Sequence, residues 1–147
     1  MIAIGADHGG FELKDAIIKY FDGKVIFKDF GTNSLESVDY PEYAFKVADS
    51  VASGECEAGI LICKTGIGMS IAANKIRGVR AAVCSDTFSA KMTRVHNNAN
   101  ILCLGARVIG EELAVVILNA FLEGEFERGG RHERRVNKIT AAENGEF

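Results

Sequence analysis

A cysteine ends an apolar run directly before a glycine-rich loop, in the segment GILICKTGIGMS at residues 59–70. Such a loop can present successive backbone N–H groups to an anion, and that environment favours the thiolate of Cys63 over the thiol. A thiolate acts as a base or as a nucleophile. The alternative is a buried cysteine followed by a turn that needs glycine for left-handed backbone angles. The local pattern leaves both interpretations open.

Two further groups of polar residues stand where predicted elements end. Asp7 and His8 follow the first predicted strand, where they suit either a polar ligand or an Asx turn with a surface histidine. His96 and Asn97 end a predicted helix, where the histidine is either a helix cap or a general acid–base group. If the sheet is parallel, these groups could converge with Cys63 on one crevice.

Basic residues crowd the C-terminal region. Arg131, Arg135 and Lys138 share one helical face by their spacing, and Arg134 lies beside them. Arginine side chains bind phosphate oxygens through paired hydrogen bonds. Because glutamates are interleaved with these residues, the sequence alone favours a solvated helix face over a phosphate site.

Short apolar runs alternate with amphipathic segments along the chain. The apolar runs predict five strands, at MIAIG, KVIFKDF, AGILIC, VRAAVC and ILCLG. Helical spacing predicts two inward faces: Leu13, Ala16, Ile17, Tyr20 and Phe21 in the first helix, and Ala44, Val47, Ala48 and Val51 in the second. Pro41 suits the first turn of that second helix, and Ser85 or Asp86 suits the cap of a later helix.

This alternation predicts an α/β fold: a three-layer α/β/α sandwich around a five-stranded, mainly parallel, Rossmann-like sheet. Ligands of such folds bind outside the carboxyl ends of the strands. A length of 147 residues suits one domain, residues 1–147. We expect the last residues, AAENGEF, to be frayed.

Composition and charge argue against several classes of protein. The net charge of −3 and the pI near 5.6 give no global reason to expect binding to nucleic acid or to an anionic membrane. The apolar runs are too short to span a bilayer, and MIAIG lacks the regions of a signal peptide, so we expect a cytoplasmic protein. The four cysteines form neither a CxxC pair nor a zinc-binding spacing, so we expect reduced thiols and no metal.

The glycine loop does not match three sharper motifs. Ile71 stands where a dinucleotide-binding fingerprint needs a small residue, and no Gly-Lys-Ser/Thr sequence completes a Walker loop. A phosphatase-type loop would need an arginine after the glycines, where Met69 and Ser70 follow instead. We therefore expect no cofactor.

Taken together, these segments resemble the family of ribose-5-phosphate isomerase B and the galactose-6-phosphate isomerase subunits. The resemblance covers nearly the whole chain, through GADHGGFELK, FGTNSLESVDYPEYA, GILICKTGIGMSIAANKIRGVRAAVCSD, RVHNNANILCLGARVIG and GGRHERRV. It implies a metal-independent aldose–ketose isomerase of a phosphorylated sugar, which works through an enediolate. Ribose 5-phosphate is the expected substrate, and a six-carbon sugar phosphate such as allose or galactose 6-phosphate is the alternative.

The resemblance also implies a role for each matching residue. Cys63 is the expected base, and His96 is the expected acid–base group for ring opening, with Asp7 and Thr65 assisting. The expected anion hole for the enediolate consists of the backbone N–H groups of Lys64, Thr65, Gly66, Ile67 and Gly68. The expected phosphate ligands are His8, Arg131 and Arg135, and the further substrate contacts are Asn97 and Arg107. The family's site lies at a dimer interface, which implies a homodimer, or a larger tetramer, and a tail from about residue 128 to 147 that reaches the partner.

One residue departs from the family pattern, which has glycine directly after the cysteine where this chain has Lys64. Lysine keeps its backbone N–H, and its charge could stabilise the thiolate or the enediolate, or its bulk could obstruct the pocket. Two functions of other classes therefore stay open. One is a phosphocysteine carrier, since a thiol beside an N–H-rich loop can accept a phosphoryl group. The other is a sugar-phosphate-binding subunit without activity of its own.

Overall fold

The computed structural model describes residues 1–146 as five strands and six helices, which alternate along the chain up to a final pair of helices. The strands are β1 (Ile2–Ala6), β2 (Phe27–Asp29), β3 (Ala58–Cys63), β4 (Ala81–Val83) and β5 (Ile101–Gly105). The helices are α1 (Phe11–Tyr20), α2 (Tyr40–Ala52), α3 (Ile67–Ala73), α4 (Thr87–Asn97), α5 (Glu111–Glu123) and α6 (Arg131–Glu143). All five strands lie within the runs or one residue of the runs predicted for them. No helix in residues 1–146 is long and apolar enough to cross a membrane.

The five strands form one sheet in the order β2-β1-β3-β5-β4, and every neighbouring pair is parallel. β3 lies at the centre, where all six of its residues are buried. Its continuous apolar sequence is typical of a strand that is covered on both faces. The predicted α/β/α sandwich is confirmed, with a sheet that is wholly rather than mainly parallel.

Alternate residues of β3 separate two hydrophobic cores. Ile60 and Ile62 pack into a core with α1, α4 and α5, whereas Leu61 and Cys63 pack into a core with α2 and α3. Successive side chains of a strand point to opposite faces of the sheet, which explains this division. The thiol of Cys63 therefore lies on the α2–α3 side.

The structure confirms the predicted inward face of α2 and corrects that of α1. Tyr20 is 49% exposed, with its ring edge-on against Phe21. Lys14, which the pattern did not place inside, is fully buried. Its Nζ lies 2.7 Å from Oδ2 of Asp29 and 3.3 Å from Oδ1 of Asp15, so carboxylates balance its charge. The face of α1 is thus rotated towards β2, because Asp29 provides a partner for the ammonium group.

The C-terminal residues are more ordered than the expectation of a frayed end. α6 continues through Glu143, whose carboxylate accepts the backbone N–H of Gly78 at 2.9 Å. The guanidinium of Arg77 also donates to the backbone carbonyl of Glu143, at 3.4 Å. These contacts tie the end of α6 to the segment before β4, so the expectation was wrong up to Glu143. Phe147 lies outside the described residues.

Candidate active site

The sheet order places a crevice between β1 and β3. The chain leaves β1 through α1 towards β2, on one side of this pair of strands. It leaves β3 through α3 towards β4, on the other side. Loops that leave neighbouring strands in opposite directions open a crevice at the carboxyl ends of those strands, where α/β folds bind ligands. Asp7 follows β1, and Cys63 ends β3, so both reach this crevice.

The thiol of Cys63 is held by the loop that follows it. Its Sγ accepts the backbone N–H of Gly66 at 3.1 Å, and the residue is 6% exposed. Gly66 has a φ of +77°, a conformation that glycine adopts without strain. A Cβ at Gly66 would also lie 2.9 Å from the backbone carbon of Leu104 on β5. Both features of this loop favour glycine, and the N–H of Gly66 fixes the sulfur at the end of β3.

Further backbone donors follow the thiol. The N–H of Ile67 donates to Oγ1 of Thr65 at 3.2 Å, whereas the N–H groups of Gly68 and Met69 meet no acceptor within residues 1–146. Tyr40 closes one side of this loop, since a Cβ at Gly68 would lie 2.7 Å from Cζ of its ring. Two unused donors beside a thiol can bind an oxyanion.

Asp7 forms the Asx turn that was one of its two expected roles. Its Oδ1 accepts the backbone N–H groups of Gly9, at 2.9 Å, and of Gly10, at 3.1 Å. Because the residue is only 7% exposed, this turn is fixed at the end of β1. The turn directs the following residue, His8, to the rim of the crevice.

The ring of His8 has a defined tautomer. Its Nδ1 accepts the backbone N–H of Val38, from the loop before α2, at 3.1 Å. In the neutral ring, hydrogen therefore occupies Nε2, which becomes a donor. His8 lines a cavity of about 430 Å³ together with Lys64 and Arg107. The carboxyl edge thus gathers nine of the predicted residues: Asp7, His8, Cys63, Lys64, Thr65, Gly66, Ile67, Gly68 and Arg107.

The other cysteines differ from Cys63. Cys56, Cys84 and Cys103 are buried free thiols that pack as small apolar residues. Burial, with the nearby Asp86 carboxylate, raises the pKa of Cys84 to about 11. Burial likewise raises the pKa of Cys103, far from neutrality. These two thiols stay protonated at neutral pH.

His96 and Asn97 lie at the opposite edge of the sheet from Cys63. They end α4, and the following Asn100 pairs with Arg80 before β4 and with Gly59 at the start of β3. An eleven-residue helix that leaves the carboxyl edge carries its end about 16 Å away. Within a single chain, His96 therefore lies far from the thiol of Cys63, because α4 runs from the carboxyl edge of the sheet back to the amino edge.

His96 belongs to a compact cluster that the sequence did not predict. Its ring stacks on that of His132, with centroids 4.0 Å apart and planes 9° from parallel. Nε2 of His132 lies 3.5 Å from Oε2 of Glu127, whose backbone N–H donates to Val95. Burial, with the charges of His96, Arg131 and Arg135, lowers the pKa of His132. His132 was a part of the segment GGRHERRV, but its spacing from His96 gives no signal of the contact.

The same cluster is the place where a metal ion could be held. The ligand atoms of His96, Glu127 and His132 all lie within 4.8 Å of one another. Ligands around a tetrahedral zinc ion stand closer, roughly 3.4 Å apart, so these side chains would have to move to bind one.

The remaining predicted residues also lie away from the thiol. Arg131 and Arg135 are exposed on the first turns of α6, next to His132. Asn97 lines a cavity of about 550 Å³ between α4, α6 and β4. Within one chain, four predicted residues thus form a second group at the amino edge: His96, Asn97, Arg131 and Arg135.

Comparisons with known proteins agree with this fold. The sequence model of the family described as Ribose/Galactose Isomerase matches residues 2–139. The chain is 52% identical to ribose-5-phosphate isomerase B of Escherichia coli (strain K12), over 97% of this chain and 95% of that protein. It is 46% identical to D-erythrulose-4-phosphate isomerase of Pectobacterium atrosepticum, over 94% of this chain and 91% of that protein.

A solved structure of ribose-5-phosphate isomerase B from Clostridium thermocellum superposes with a TM-score of 0.95. Its sequence is 52% identical, and the match covers 98% of this chain and 97% of that one. The family match and the structural match both span almost the whole chain. The chain belongs to the Ribose/Galactose Isomerase family.

Proposed function

We propose that this chain interconverts ribose 5-phosphate and ribulose 5-phosphate, with Cys63 as the base. The observation that carries the assignment of the base is the hydrogen bond from the N–H of Gly66 to Sγ of Cys63, at 3.1 Å. Membership of the family and similarity to ribose-5-phosphate isomerase B support the reaction. Of the four cysteines, only Cys63 stands at the carboxyl end of a central strand beside unused backbone donors.

The reaction needs ring opening before proton transfer. His96 donates a proton to the ring oxygen and accepts the proton of the anomeric hydroxyl, which yields the open aldehyde. The thiolate of Cys63 then removes the proton from C2, and the electron pair forms the enediolate. Backbone N–H groups of the loop from Lys64 to Gly68, apart from that of Gly66, which donates to the sulfur, bind the enediolate oxygen, and Thr65 and Asp7 assist. The hydroxyl proton on O2 then moves to O1, and Cys63 returns the C2 proton to C1, which gives the ketose with no cofactor consumed.

The phosphate group needs cationic and neutral donors. Nε2 of His8 is a donor at the rim of the crevice, because Nδ1 is occupied by Val38. Arg131 and Arg135 stand one turn apart on α6, at a spacing that lets both guanidinium groups reach one phosphate. Asn97 and Arg107 are the further substrate contacts in this assignment.

The separation of Cys63 from His96 points to a second copy of the chain. A twofold axis that sets the carboxyl edge of one copy against the amino edge of the other completes two identical sites. Exposed apolar side chains flank the thiol loop, with Ile67 54% and Ile71 59% exposed on α3. Such side chains suit burial against a partner. The homodimer is the smallest assembly that completes the site, and a pair of dimers gives the tetramer.

The test is conversion of ribose 5-phosphate by the wild type and by Cys63→Ala, with EDTA present. We expect wild-type turnover that EDTA does not reduce, and a loss of about a thousandfold or more in Cys63→Ala. Retained turnover in a folded Cys63→Ala variant would remove Cys63 from the role of base.

The same assay separates the alternatives. Allose 6-phosphate, galactose 6-phosphate and D-erythrulose 4-phosphate are offered beside ribose 5-phosphate, and the highest kcat/KM identifies the substrate. A folded wild type that binds these sugars without converting any of them would be a binding subunit. Stoichiometric phosphorylation of Cys63 by a phosphodonor protein would identify a carrier instead.

A further inference from the structure

A cavity of about 430 Å³ opens beside the crevice, on the α1–α5 side of the sheet. His8 and Arg107 line it, and so does the side chain of Lys64. Lys64 directly follows Cys63, yet the two side chains lie on opposite faces of the sheet. The thiol packs into the core with α2 and α3, whereas the lysine side chain lines this cavity. The cavity is therefore separated from the thiol by the edge of the sheet.

The alternation of β3 explains the direction of Lys64. Ile62 points to the α1–α5 side and Cys63 to the α2–α3 side, so the next residue returns to the α1–α5 side. Contacts at Gly9 agree: a Cβ there would lie 2.9 Å from Cγ and 3.6 Å from Cε of Lys64. The lysine stem thus crosses Gly9 on its way from the end of β3 towards the rim where His8 stands.

The charge of Lys64 has no partner among the residues that the structure describes. Neither Lys64 nor Arg107 forms an ion pair within residues 1–146, although Glu12 and Glu111 also line the cavity. The backbone N–H of Arg107 donates to the carbonyl of Lys64 at 3.0 Å, which fixes the two residues beside each other. Two unpaired cations and the Nε2 donor of His8 make one end of this cavity suitable for a dianion.

We propose that the ammonium group of Lys64 binds the phosphate of the substrate together with His8, and so sets substrate affinity rather than the rate of proton transfer. The inference rests on the proposed function for the identity of the ligand. The lysine that replaces the family's glycine after Cys63 therefore acts in phosphate binding. It does not act in proton transfer, because its side chain lies across the sheet from the sulfur. A contact made equally in the ground state and the transition state changes KM and leaves kcat unchanged.

The decisive variant is Lys64→Met, which keeps the backbone N–H of residue 64 and the stem on Gly9 and removes only the side-chain charge. At constant ionic strength we expect KM for ribose 5-phosphate to rise about fivefold to tenfold, with kcat within about twofold of the wild type. Lys64→Arg should restore most of the affinity, because it restores the charge. Lys91→Met removes another exposed lysine, on α4, and should leave both constants unchanged.

Calorimetric titration with inorganic phosphate separates this inference from the isomerase assignment, because it needs no turnover. Phosphate should bind Lys64→Met several-fold more weakly than it binds the wild type or Lys91→Met. Equal phosphate affinity in all three proteins would overturn the inference, whether or not the wild type isomerises the sugar. A fall in kcat with unchanged KM would also overturn it, since that result would place the ammonium group at the reacting atoms.

Discussion

The backbone N–H of Gly66 donates to Sγ of Cys63 across 3.1 Å, inside a loop that only glycine can form without strain. The bond links the position of the thiol to the conformation of the residue three places later. It also commits an N–H group to the sulfur rather than to the substrate. The conformation of Gly66 therefore determines which hydrogen bond the sulfur of Cys63 accepts.

Replacing Gly66 by alanine should displace the loop from the thiol. The new Cβ meets backbone of Leu104, which cannot move aside, so we expect kcat to fall at least about tenfold. Gly23→Ala is the matched control, because Gly23 has a similar φ of +76° and nothing within 4 Å of its Cβ position. Both variants should lose about 1 kcal/mol of unfolding free energy to backbone strain, but only Gly66→Ala should lose turnover. Equal kcat in the two variants would contradict this account.

Alkylation should distinguish the four thiols. At pH 8, iodoacetamide should modify Cys63 in the folded protein and leave Cys56, Cys84 and Cys103 intact. Cys84 stays a thiol because its pKa is about 11, and Cys56 and Cys103 are at most 1% exposed. Peptide mass spectrometry after a short pulse gives the site of modification. Faster labelling of Cys84 than of Cys63 would argue against an activated thiol at the end of β3.

The buried lysine of α1 should behave as one half of a required pair. Asp29→Asn leaves the ammonium group of Lys14 without its partner at 2.7 Å, so we expect a loss of about 3 kcal/mol of unfolding free energy. Adding Lys14→Met to that variant should recover much of the loss, since no buried charge then remains. Urea denaturation measures both values. A double variant that is less stable than Asp29→Asn would show that the methylene stem, not the charge, decides stability here.

Acidification should destabilise the fold through His132. Its pKa is lowered in the folded state from an ordinary value of 6.5, so the unfolded chain binds a proton that the folded chain does not. Stability therefore falls as the pH drops below 6.5, and it is regained as the pH rises. His132→Gln removes this contribution, so its midpoint of urea unfolding should change less between pH 7 and pH 5.5. If the urea midpoint of His132→Gln fell more between pH 7 and pH 5.5 than that of the wild type, a lowered pKa of His132 would be contradicted.

Much of the fold follows from local patterns. The run AGILIC predicts a strand buried on both faces, and its bounds coincide with β3. Asp86 caps α4 by accepting the N–H of Ser89 at 2.7 Å, one of the two caps that the sequence offered. These features depend on residues within one turn or one strand of each other, so the sequence contains their cause.

The features that the sequence did not predict depend on contacts across the fold. Lys14 is buried because Asp29, fifteen residues away, balances its charge. The expectation that His96 could converge with Cys63 placed both after elements of a parallel sheet, but α4 carries His96 back to the amino edge. Its stacking on His132 joins α4 to α6 and has no local signature. Which residues share a site therefore depends on the topology and on the assembly.

The most direct test of the central claim mixes two inactive variants. Cys63→Ala lacks the base and His96→Gln lacks the ring-opening group, so each should be inactive with ribose 5-phosphate. If a site takes Cys63 from one copy and His96 from the other, each hybrid dimer contains one intact site. Co-refolding the two proteins in equal amounts should then give about a quarter of wild-type activity. A mixture as inactive as its components would contradict a site shared between two copies.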